Sequence, residues 1–164
     1  VLSFSVLSTI FIFVVALILG LIYSDYNELS IIFSDLEFLV AFFVKLLGFF
    51  SFCLFLGILV KRSAFALGFL ILWQIIEGIL FGVFAWKGNA EMASNIMQFF
   101  PLSSMSNLIT EPFSRLNAVQ SVANQVGQGF EKDYAVHWYE ILIVLIWTFL
   151  FIYGSYVLLR KRDL

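Results

Sequence analysis

Residues 37–86 read EFLVAFFVKLLGFFSFCLFLGILVKRSAFALGFLILWQIIEGILFGVFAW, two long apolar runs joined by the basic turn Lys61-Arg62-Ser63. The first run, 37–60, holds one internal charge, Lys45. The second, 64–86, holds only Glu77. A helix rises about 1.5 Å per residue, so about 20 apolar residues cross the roughly 30 Å of bilayer hydrocarbon. Each run is long enough. In lipid a backbone must satisfy its own hydrogen bonds, which makes such runs helices. The alternating pattern of a membrane barrel is absent.

Working outward, two more runs share this character. Residues 1–23 carry no charge, and 137–159 carry only Glu140, near their start. The expected fold is therefore all-α, a polytopic membrane helix bundle with four transmembrane helices. Composition agrees: 62% of the 164 residues are hydrophobic, 12% are charged, and 21 are phenylalanine. A soluble domain is nearer half apolar and a quarter charged. With a net charge of −2 and no basic stripe, nucleic-acid binding has no electrostatic support. The chain opens at Val1 inside an apolar run, with no basic leader before it and no small-residue cleavage site after it. We expect residues 1–164 to be the C-terminal part of a longer protein.

Basic residues set the expected orientation. Lys61, Arg62, Arg160, Lys161 and Arg162 make five of the nine, gathered at the 61–63 turn and the C-terminal tail. The 24–36 loop has none, and the loop 87–136 has Lys87, Arg115 and Lys132. The positive-inside rule places the turn and the tail in the cytoplasm and the two other loops outside. The 87–136 loop is not filler. Residues 91–100 and 113–126 show helical spacing, punctuated by Pro101 and Pro112. Short helices are expected there, either lying on the outer membrane face or dipping into it, with the surface-lying arrangement as the simpler reading.

Few side chains suggest chemistry. Lys45 lies sixteen to seventeen residues before the centre of the 61–63 turn and Glu77 fifteen after it. Antiparallel helices then put both at about 23–25 Å from the turn. A lone charge in hydrocarbon costs at least about 2.5 kcal/mol, so an intramembrane Lys45–Glu77 ion pair is expected. Its plain role is to orient helices, and its functional role would be to line a substrate path. Gly78 and Gly82 form a Gly-x-x-x-Gly face suited to helix packing. Cys53, the one cysteine, reads as a small hydrophobe. His137, the one histidine, cannot supply two axial haem ligands or a metal cluster. No hydrolase elbow, zinc helix or phosphate-cradling loop occurs.

Taken together, several stretches resemble the C-terminal part of a type-2 ATP-binding-cassette (ABC) transporter permease. They are the tight turn Val60-Lys61-Arg62-Ser63-Ala64, the span segment Trp73-Gln74-Ile75-Ile76-Glu77-Gly78, the loop segment Phe100-Pro101-Leu102, and the basic tail from Arg160. The resemblance covers the whole of 1–164. It implies the third to sixth spans of a six-span permease, with short, partly re-entrant outer helices before the last span. It further implies that the chain binds no cofactor itself, ATP residing on a separate ABC ATPase subunit. Lys61, Arg62 and Ser63 would contact that ATPase. A second permease copy, membrane lipid, a bacterial inner (plasma) membrane and alternating-access export complete the implied picture. The competing expectation is a non-transporting membrane scaffold that binds partners through its outer helical loop.

Overall fold

The computed structural model describes residues 1–23, 36–61, 63–88, 90–109 and 135–161. The expected helix at 113–126, the side chain of Arg62 and the tail beyond Lys161 lie outside them. The described residues form helices and no strands. Four are long: α1 (Leu2–Tyr23), α2 (Leu36–Val60), α3 (Ser63–Lys87) and, after the two short helices α4 (Ala90–Met97) and α5 (Pro101–Asn107), α6 (Trp138–Arg160). All four long helices have the length and hydropathy to cross a membrane. The bundle is the all-α membrane architecture that the apolar runs imply.

Its core is the seam between α2 and α6, the most extensive helix pair. Buried residues recur along α2 at Ala41, Val44, Gly48, Phe52 and Leu56, and along α6 at Val144, Thr148, Phe151 and Ser155. These steps of three and four residues keep one stripe facing the partner helix. Lipid supplies little hydrophobic drive between helices, so close approach and dispersion hold such a seam. Two glycines permit that approach. A Cβ on Gly48 would sit 2.9 Å from Val144 Cγ1, and one on Gly154 would sit 2.9 Å from Phe55 Cε2. Phe151 then packs on Phe52 at 4.7 Å between ring centroids and stacks on Trp147 at 5.4 Å. The hydroxyls within the seam mostly bond to their own helices: Ser51 donates to the Leu47 carbonyl at 2.7 Å and Thr148 to the Val144 carbonyl at 2.8 Å.

Around this seam the packing thins. α1 touches α2 through buried Ser5 and Thr9 and an edge contact between Phe4 and Phe50. α3 is barer still. Among its described side chains only Glu77 is buried. Between α2 and α3 the chain reverses at Lys61, whose φ of 62° is left-handed and whose N–H bonds the Gly57 carbonyl at 3.1 Å. That is the single-bond left-handed helix stop usually given to glycine.

Candidate functional site

Glu77 is ten residues before Lys87 and therefore about 15 Å inside that end of α3. It is 3% exposed. A carboxylate at such a place needs hydrogen-bond donors, and among the described residues it has four. Trp73, one helical turn earlier, donates its indole N–H to Oε1 at 2.7 Å. The Leu102 backbone N–H reaches Oε1 at 3.1 Å. The Ser103 backbone N–H and hydroxyl reach Oε2 at 2.8 and 2.7 Å.

The backbone donors explain why α5 forms where it does. Any helix starts with N–H groups that have no partner inside it. In α5 the first position is Pro101, which has no N–H, and Phe100 before it offers no side-chain cap. Leu102 and Ser103 hold the next two orphan donors. Both point at Glu77, while Ser104 N–H makes the first internal bond, to Phe100 at 2.8 Å. A carboxylate from a different helix thus completes the N-terminus of α5. Charge-assisted bonds of this kind are about twice as strong as neutral ones.

The contact also defines the path of the chain. After Gly88, α4 packs on α3, the chain turns through 98–100, and α5 begins at Glu77. The α4–α5 hairpin therefore returns along the bundle to a depth of about 15 Å rather than lying across its end. This differs from the surface-lying arrangement that sequence favours. The physical reason is Glu77, to which the hairpin tip supplies three donors. A second tie fixes the tip to α6, where the Trp147 indole N–H donates to the Phe99 carbonyl at 2.8 Å. Leu102, Met105 and Leu108 of the hairpin are buried in the same core cluster as the α2–α6 seam.

Beside the latch is a cavity of about 310 Å³ between α2, α3 and α5. Lys45 lines it together with Gln74, Ser103 and Ser106. The two expected intramembrane charges thus share a neighbour, Ser103, which borders the cavity with Lys45 and donates to Glu77. Lys45 also engages the protein itself. Gly78 and Gly82 fall elsewhere. A Cβ on either meets nothing within 4 Å, so this stripe packs against no described helix of the chain. Lys61 is exposed at the left-handed turn, and Ser63 opens α3.

Sequence reading did not single out Trp73, Ser103 or Trp147 for this site. Trp73 carries a usable signal, since it lies four residues before Glu77 on one helix face. Ser103 and the two backbone donors carry none, because a main-chain N–H has no letter of its own.

No curated protein and no solved structure matches the chain. A family model described as ABC-2 family transporter protein matches residues 1–164 in full. With four membrane-length helices, a buried carboxylate and a returning hairpin, the chain belongs to the ABC-2 transporter family and is a multi-pass membrane permease of an ABC system.

Proposed function

We propose that the chain forms the C-terminal part of the membrane-spanning permease subunit of an ABC exporter, which moves substrate by alternating access driven by a separate ATPase subunit. The observation that carries this reading is the Glu77 latch. It joins a mobile-ready element, the sparsely packed α3, to a hairpin that is otherwise part of the α2–α6 core. Displacing α3 against α2 and α6 would separate the carboxylate from the α5 N-terminus and open the bundle at the hairpin. Each bond to a charged group resists that step by about 1.5–3 kcal/mol, a scale that ATP binding at a partner can supply.

In this reading ATP is held by the ATPase, and Lys61, Arg62 and Ser63 contact it from the cytoplasmic side. The hairpin faces outward, and both ends of 1–164 face the cytoplasm of a cell with the protein in its plasma (inner) membrane. A second permease copy completes the pathway, with the open Gly78–Gly82 stripe available as a subunit contact. Lys45 serves as the counter-charge to Glu77 across Ser103. If Lys45→Met combined with Glu77→Met is no better tolerated than either single change, that pairing fails.

The test of the main reading is affinity purification of the full-length protein from mild detergent with identification of what accompanies it. Recovery of an ABC ATPase, lost on reversing the charges of Lys61 and Arg62, supports the exporter. Recovery of other membrane proteins without an ATPase overturns it in favour of a scaffold.

A further inference from the structure

Gln74 is the only side-chain amide in the four long helices. It lies eleven residues after Ser63 and thirteen before Lys87, about 16–20 Å from either end of α3 and so at the middle of the span. Its side chain is exposed, and among the described residues it makes no hydrogen bond. It also lines the cavity beside the latch. We propose that this cavity binds the polar end of a neutral amphiphile, one that carries a hydroxyl or an amide N–H, with the Gln74 amide as the group that recognises it.

Three features carry the proposal. The first is the cost of that amide where it stands. An amide in an apolar medium is strongly disfavoured without a hydrogen-bond partner. At mid-span a glutamine side chain is too short to reach the membrane interface. Polar groups at this depth serve a bundle interior or a cavity. The second is its place on α3. At about 100° per residue, Gln74 is about 60° round the helix from Glu77 and about 40° from Gly78. It therefore stands between the latch and the bare face of α3. Gln74 and Ser106 in the cavity wall are both exposed, so the cavity opens on the bundle surface and a guest can enter sideways from the bilayer. The third is the balance of hydrogen-bonding groups. Ser103 gives its hydroxyl hydrogen to Glu77, and Ser106 gives its own to the Ser103 carbonyl at 2.9 Å. Both hydroxyl oxygens keep acceptor capacity, and the Gln74 carbonyl adds to it. Apart from Lys45, which already interacts within the protein, the wall thus offers more acceptors than donors. The guest must bring hydrogens, while the Gln74 NH2 answers an oxygen on the same guest. Phe42, Phe49 and Met105 receive the start of its chain, and about 310 Å³ lies at the small end of ligand pockets.

As a cargo site the cavity rests on the permease reading; as a binding site it does not. The experiment measures binding of N-(2-hydroxyethyl)dodecanamide to the full-length protein in phosphatidylcholine nanodiscs, with empty discs subtracted. Phosphatidylcholine donates no hydrogen bond, so the host bilayer does not compete. Methyl dodecanoate, an equivalent chain without a donor, is the control. Gln74→Met keeps the length of an exposed side chain and removes its amide. It should weaken the hydroxyethyl amide by about fivefold or more and leave methyl dodecanoate within about twofold. Leu46→Trp, which narrows the cavity without touching Gln74, should weaken the hydroxyethyl amide by a similar factor. Unchanged affinity in Gln74→Met would overturn recognition by the amide, and unchanged affinity in Leu46→Trp would overturn the cavity as the site. Tighter binding of dodecyl phosphate, lost in Leu46→Trp, would overturn the neutral class. Absence of saturable binding together with a dimer that dissociates in Gln74→Met would give the amide to a second copy instead. Competition separates the sources of the shared chemistry. Displacement by dioleoylglycerol assigns a lipid guest, and retention against it assigns a single-chain compound of the same class. An ATPase that fails to copurify while the hydroxyethyl amide still binds refutes the permease reading and leaves this site standing.

Discussion

The α2–α6 seam and the α3–hairpin contact hold one bundle together by opposite means. The seam is continuous, apolar and close, with Gly48 and Gly154 admitting the partner helix and Phe52, Val144 and Phe151 filling the space. On the α3 side of the other contact the one buried described side chain is charged. Dispersion contacts are many and weak, so a seam built from them resists displacement gradually along its length. Hydrogen bonds to a carboxylate are few, strong and directional, so a latch built from them is either made or broken. A membrane protein that must be firm in one place and movable in another has both devices within one chain.

The largest test removes the latch. Glu77→Ala leaves the Leu102 and Ser103 amides unpaired, at about 1–3 kcal/mol each. Exchange at those two amides should accelerate by more than about a hundredfold, while the unfolding temperature of the long helices changes little. A matching fall in that temperature would show that latch and seam are not separable. Next is Gly48→Leu, which drives a side chain into Val144 and should cost about 1–3 kcal/mol of thermal stability in detergent. Gly82→Leu on α3 is its counterpart and should stay within about 0.5 kcal/mol for the single chain. If it instead dissociates a dimer in light scattering, the bare face of α3 is a subunit contact. Trp147→Phe removes one hairpin tie and should cost about 1 kcal/mol, read as faster exchange at the tip. The smallest effect is a gain. Lys61→Gly relieves the left-handed backbone at the α2 stop and should stabilise the turn by up to about 1 kcal/mol.

What sequence could show follows the same division. The four spans were legible because hydropathy over twenty residues is a property of composition, and the limits of α1, α2, α3 and α6 need nothing more. Lys45 and Glu77 were legible as a pair of depths, since helical rise and a short turn fix both. Their surroundings were not. Glu77 takes its donors from main-chain N–H groups twenty-five and twenty-six residues away, and only a folded hairpin brings those near. The Phe100-Pro101-Leu102 stretch is apolar on its face, which suits a membrane surface as well as a bundle interior. The glycines teach a similar lesson. Gly78 and Gly82 fit a known spacing but meet no described helix, whereas Gly48 and Gly154 stand outside such a pair and are the ones that packing uses.

The four tryptophans divide in a way that bears on how this protein can be observed. Trp86 and Trp138 are 88% and 74% exposed at helix ends. Trp73 gives its indole N–H to the Glu77 carboxylate on its own helix, and Trp147 gives its own to the hairpin, at the carbonyl of Phe99. An indole that loses such an acceptor changes its emission. Undocking of the hairpin takes the acceptor from Trp147 alone, because Trp73 and Glu77 lie on the same helix and stay together, so the optical signature centres on one of four chromophores. Replacing Trp86 and Trp138 with phenylalanine would leave a protein whose native fluorescence reports the tip directly, in a lipid vesicle and without an attached dye.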